Sequence, residues 1–170
     1  MSLRSKRRLS KAVLSAGGGY RLLETDDIKW LYAAYKGGGL AHFPPDLPPA
    51  EFQEFAVAEI TKWDGAFLLE ARVEGHPKPV GMMVARVHQH RMEPHSSWFP
   101  WATGKQKLAA MAAFLNGVRR EWLALVWCPP ADEKFFLRIA RYGILRRIGA
   151  VPGWVPGGSA VLFSTTSVKD

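Results

Sequence analysis

The chain has 170 residues, 48% of them hydrophobic and 22% charged, which suits one domain with a real core and excludes an intrinsically disordered chain. No run reaches the roughly 18 apolar residues of a membrane span, and the opening MSLRSKRRLSKAVL lacks the apolar stretch of a secretory leader. The single cysteine, Cys128, excludes an internal disulfide and points to a reducing compartment.

The net charge of +8 is uneven. Arg4, Lys6, Arg7, Arg8 and Lys11 lie in the first eleven residues, which carry no acid. Residues 1–19 therefore read as a basic arm and 20–170 as a single domain. Such an arm binds nucleic acid or an acidic partner. Leu3, Leu9, Val13 and Leu14 would give it the apolar face of a docking helix.

Tyr20-Arg21-Leu22-Leu23 predicts a short strand, and Thr25-Asp26-Asp27 a helix N-cap. Ile28, Leu31, Tyr32 and Tyr35 then recur on one helical face, which Gly37-Gly38-Gly39 ends. After the rigid loop FPPDLPP, Pro49 opens a second helix, with Phe52, Phe55, Ala56, Ile60 and Trp63 as its stripe. AFLLEARV (66–73) and VGMMVARVH (80–88) predict a hairpin turning at Glu74-Gly75-His76-Pro77, and 97–99 a short third strand. Gly104 opens a helix with Leu108, Met111, Leu115, Val118 and Trp122 on one face. LALVW (123–127) reads as a buried strand ended by Pro129-Pro130. Asp132 begins a basic helix expected over 133–147 and ended by Gly149; 150–166 form a last hairpin. The expected class is α/β (α+β), a mixed central sheet of six to seven strands flanked by about four helices.

The order β-α-α-β-β-β-α-β-α-β-β resembles the GNAT fold of the Gcn5-related N-acetyltransferases over about 20–166. That resemblance implies acetyl-CoA as cosubstrate, its pyrophosphate held on a loop patterned Gln/Arg-x-x-Gly-x-Gly/Ala at a helix N-terminus. The matching stretch is Trp101-Ala102-Thr103-Gly104-Lys105-Gln106, where only Gly104 agrees. Thr103, Gly104, Lys105, Gln106 and Lys107 are the implied coenzyme-binding residues. Trp101 and Gln106 are expected to crowd the loop, so acetyl-CoA is expected to bind weakly or not at all, and no cofactor is expected unless the domain is active. The family's Tyr-Glu-Lys-Leu-Gly-Phe, whose tyrosine serves as general acid toward the departing thiolate, aligns with Leu145-Arg146-Arg147-Ile148-Gly149-Ala150; Leu145 cannot donate a proton, and Tyr142 lies three residues earlier. Within that fold, WLALVWCPP, LRRIGAVPGW and LFSTTS, with the SSW and GKQK segments before them, are similar to the small internal virion proteins of T7-like podoviruses over 97–167. This second resemblance implies a phage virion or morphogenesis protein with a degenerate domain used as a binding scaffold, its partners other virion proteins or, through the arm, DNA. It would reside in the virion or the host cytoplasm. The alternative is an active acetyl-CoA-dependent N-acetyltransferase.

Gly104-Lys105 is not a nucleotide-triphosphate loop, because Phe99 and Gln106 stand where a glycine and a hydroxyl are required. In HQHRMEPH, His88 and His90 would share a strand face at a spacing that suits zinc, although no metal site is expected; Glu93 or His95 is a candidate general base toward an amine. Lys134, Arg138, Arg141, Arg146 and Arg147 on the basic helix would bind phosphate or compensate the helix dipole. Trp98 and Trp101 flank Pro100 and either line a groove or fill the core.

Overall fold

The computed structural model describes residues 20–24, 28–36, 44–61, 65–89, 91–155 and 158–167. The basic arm, with Arg4, Lys6, Arg7, Arg8, Leu9 and Lys11, lies outside the described residues, as do the predicted cap at 25–27 and His90. The elements run β1 (Tyr20–Glu24), α1 (Ile28–Lys36), α2 (Pro49–Thr61), β2 (Gly65–Val73), β3 (Gly81–His88), β4 (Arg91–Trp98), α3 (Gly104–Val118), β5 (Leu123–Cys128), α4 (Glu133–Ala140), β6 (Leu145–Val155) and β7 (Gly158–Thr165). A single 3-10 turn, Pro130–Asp132, precedes α4. This is the expected order.

The seven strands form one sheet in the order β1-β2-β3-β4-β5-β7-β6. All neighbours are antiparallel except β4 and β5. The period-2 alternation of β3 sends its side chains to two separate cores. Met83, Ala85 and Val87 join Phe114 and Leu115 of α3 and Phe136 and Ile139 of α4 in the larger cluster. Met82 faces the other way and packs with Leu31 and Tyr35 of α1 and Phe52 and Ala56 of α2. The proline-rich loop is tied to α1 by tyrosines. The Tyr32 hydroxyl donates to the Leu47 carbonyl at 3.2 Å, and Leu47 N–H donates to the Tyr35 hydroxyl at 2.8 Å.

Three boundaries differ from expectation. α3 ends at Val118 with Arg119 as its cap, and Trp122 lies beyond the turn that follows, its N–H donating to the Val118 carbonyl at 2.9 Å. The strand expected at 97–99 is β4, eight residues long. Pro94, Glu93 and Arg91 hide it from a propensity reading. Proline is tolerated there because pairing with β5 has already ended at Met92. The basic helix ends at Ala140, not at 147. Gly143 takes φ 69°, the left-handed turn that stops α4, and Gly149 lies inside β6 next to a bulge. Arg146 and Arg147 are therefore strand residues and do not compensate a helix terminus. Arg147 Nε donates to Glu133 of α4 at 2.6 Å, and Arg146 Nε donates to Ser164 at 3.2 Å.

Candidate functional site

β4 and β5 are in register only at Arg91↔Leu123 and Met92↔Ala124. Beyond those pairs they part, and a cavity of about 530 Å³ fills the gap. One wall is β4, with His95, Ser96, Ser97 and Trp98; the facing wall is β5, with Val126, Trp127 and Cys128. Lys107 and Met111 of α3 and Phe135 and Phe136 of α4 complete it.

The sheet alternation assigns these side chains to opposite faces. His95 is in register with Val84, which packs on the α1–α2 cluster. Its ring stands edge-on to Trp127, centroids 5.5 Å apart at 75°. Val126 and Cys128 belong to the α3–α4 core. The Cys128 thiol is 2% exposed. Its pKa is pushed up to about 11 from an ordinary 9.0, first by burial and then by the nearby charges of Asp132 and Glu133.

The entrance to α3 is a fully formed capping box. Gln106 N–H donates to the Thr103 hydroxyl at 3.2 Å, and Thr103 N–H donates back to Gln106 Oε1 at 2.9 Å. The expected crowding of this loop is not found. Gln106 is folded back onto Thr103. Trp101 is drawn toward the β2–β3 connection, where its indole N–H donates to the Pro79 carbonyl at 2.9 Å. Its ring stacks on Phe99 at 4.6 Å and 3°, with Lys78 Nζ 5.3 Å from the ring centre. Space in front of Gly104 is open: a Cβ placed there meets nothing within 4 Å.

The candidates from sequence are only partly brought together. His95 and Lys107 line the cleft. Glu93 shares the His95 face two residues away and lies 3.7 Å from Arg91, outside the lining. Thr103, Gly104, Lys105 and Gln106 form the α3 entrance, with Lys105 on the helix side away from the cleft. Tyr142 is 68% exposed and lines a different cavity, so it does not meet His95 or Glu93 in the cleft. The turn at Gly143 ends α4 at Ala140 and makes Leu145 the first residue of β6, buried. Ile139, one turn before Gly143, is fully buried in the core. His88 is the last residue of β3 and Gln89 takes φ 53° in the turn that follows; the second histidine of the His-x-His pair, His90, lies outside the described residues. Among the described residues no group of three His, Cys, Asp or Glu side chains is placed to hold a metal. The sequence reading missed Trp127, Cys128 and the Ser96-Ser97 pair as cleft residues. The one available signal was that a buried-type strand ending in Cys-Pro-Pro faces a polar strand.

No family model matches the chain. No curated protein matches it in sequence either. Solved structures do match. RimL, a ribosomal L7/L12 alpha-N-protein acetyltransferase in complex with coenzyme A, superposes with a TM-score of 0.69 at 10% identity, covering 92% of this chain and 99% of that one. The fold is the GNAT fold. A probable GNAT-family acetyltransferase from Chromobacterium violaceum gives 0.67 at 15% identity, over 95% of this chain and 89% of that one. A spermidine N-acetyltransferase SpeG chimera from Vibrio cholerae and hSSAT gives 0.65 at 8% identity, over 87% and 96%. At these identities the likeness establishes the GNAT architecture and leaves chemistry to the site.

Proposed function

We propose that this GNAT domain binds a coenzyme A thioester in the β4–β5 cleft and transfers its acyl group to an amine. The observation that carries the reading is the strand separation itself: pairing stops after two residues, and the gap is walled by Lys107 and Met111 in the first half of α3. The residues fit the coenzyme. Gly104 leaves open space for a pyrophosphate, the N–H groups of Gly104 and Lys105 are not consumed by the capping box, and Lys107 adds a cation on the cleft side. When bound, the coenzyme supplies an acyl carbon activated as a thioester. His95 takes the proton released by the attacking amine, and Trp127 fixes the imidazole edge-on. The leaving thiolate takes its proton from water: when the glycine of the family's Tyr-Glu-Lys-Leu-Gly-Phe is set on Gly143, which ends α4, the tyrosine place is Ile139, buried in the core.

Isothermal titration with acetyl-CoA is the first test, with low-micromolar binding expected. Acetyl transfer to a panel of primary amines is the second, with His95→Ala lowering kcat at least about a hundredfold, the range of general base catalysis. Failure to bind acetyl-CoA sinks the reading outright.

One observation favours a second reading. No tyrosine lines the cleft among the described residues, and the family's acid position is an aliphatic core residue. This supports a degenerate domain that binds without turnover, and the resemblance over 97–167 supplies the context of a bacteriophage virion scaffold. Its partners would be other virion proteins, or DNA engaged by Arg4, Lys6, Arg7, Arg8 and Lys11. Tight acetyl-CoA binding with no transfer to any amine selects it. For the arm, deletion of residues 1–11 lowers the slope of log K against log salt by about 4 to 5 units if all five cations sit on duplex phosphates. An unchanged slope removes DNA from the partners.

A further inference from the structure

Helix α3 is a wall of two cavities. Lys107 and Met111 face the cleft. The opposite side carries a groove of about 450 Å³ floored by Leu108, Ala109, Ala112 and Ala113, and closed by Tyr142 and Ile144 of the α4–β6 turn. Lys105 stands at one end and Arg119 at the other. Fourteen residues of helix separate them, about 21 Å. Neither cation makes an ion pair among the described residues, and no carboxylate lines the groove. Arg119 is half-buried and, among the described residues, held in place by neutral groups: its Nη1 donates to the Gly143 carbonyl at 2.8 Å and to the Thr166 hydroxyl at 3.1 Å. A fixed, partly desolvated charge without a counter-ion is costly unless an anion completes it.

We propose that this groove docks an acidic amphipathic helix of a partner protein. The alanine floor lets a helix approach closely, Leu108 and Ile144 meet its apolar stripe, and carboxylates near its two ends reach Lys105 and Arg119. Charge decides between occupants. The chain's own arm, with five cations and no acid, is repelled by both ends of the groove. Duplex DNA would satisfy the cations but leaves the apolar floor uncovered.

The test is a selection from a displayed library of 16-residue helical peptides on the intact chain, counter-selected on the Ala112→Trp protein, whose groove is filled. The expected binders carry Asp or Glu near both ends and apolar residues at i, i+3, i+4 and i+7. Their affinity falls at least tenfold on Lys105→Glu, an exposed position whose replacement spares the fold, and falls as salt rises. Binders without acidic enrichment, or binders that hold Ala112→Trp and Lys105→Glu as tightly as the parent, overturn the proposal. Duplex DNA that competes with them at equal phosphate concentration assigns the groove to nucleic acid instead. A chain lacking residues 1–19 that binds the same peptides at least tenfold more tightly makes the arm the native occupant.

Discussion

Strand β4 meets its two neighbours in opposite ways. Toward β3 it is in register along eight residue pairs, from Gly81↔Trp98 to His88↔Arg91. Toward β5 it is in register at two. The ladder side contributes stability and fixes where each β4 side chain points. The open side gives up that ladder and gains a cleft. The two halves of the sheet are therefore held together less by strand pairing than by the α3–α4 core beneath both, where Phe114 packs with Val87 of β3 and Val126 of β5 in one cluster.

The largest expected effect tests that shared core. Phe114 is fully buried, and Phe114→Ala should cost about 3–5 kcal/mol. Urea unfolding should remain a single transition; two separated transitions would show that the halves are independent. Next comes the ladder side. A Cβ on Gly81 would lie 2.4 Å from Trp98 Cε3 and 2.7 Å from the Ser97 carbonyl oxygen. Gly81→Ala should therefore cost about 1–3 kcal/mol by overpacking, read from thermal melting. Gly104→Ala is the contrast on the open side. Its Cβ enters empty space, so stability should barely change, while acetyl-CoA affinity should fall about tenfold, or about 1.4 kcal/mol, by titration. Equal stability losses at the two glycines would erase the distinction between the sides. Thr103→Ala removes the α3 cap and should cost about 1 kcal/mol. At Cys128 the expected effect is a pH dependence, not a fixed loss. Unfolded, the thiol loses its proton above its ordinary 9.0; folded, it keeps it until about 11. The folded state thus binds the extra proton in between, and stability should fall as pH rises from 9 to 11 in the parent but not in Cys128→Ser. Alkylation by iodoacetamide should be slow at pH 7 and accelerate toward that upper value.

The element order was legible because most elements carry their own period: 3.6 in α1 and α3, alternation in β2 and β3. β4 was not, since Pro94 and its charged neighbours argue against a strand, and only the missing β5 partner makes that proline harmless. The α4–β6 boundary was misplaced for a different reason. Arg-Tyr-Gly-Ile-Leu-Arg-Arg-Ile-Gly offers two glycines as a helix stop, and only the left-handed φ at Gly143 decides between them. That one shift turns Leu145 from a helix residue into the first residue of β6. Of the site, the α3 entrance was readable from Gly104 and its lysines. The cleft was less so, because it exists where hydrogen bonding stops, and no local residue pattern encodes the end of a ladder. Trp127 and Cys128 looked like core for that reason, and Trp101 looked like an obstruction until its indole was seen bonded to Pro79.

The central claim, that the gap between β4 and β5 is where a coenzyme A thioester binds, is tested most directly by following backbone amide resonances of the intact chain during titration with acetyl-CoA. Saturable shifts are expected at Gly104 and Lys105, along Ser96, Ser97 and Trp98, and at Trp127 and Cys128, with the β2–β3 ladder unmoved. Shifts that are absent at millimolar acetyl-CoA, or confined to the groove of Ala109, Ala112 and Tyr142, would contradict it.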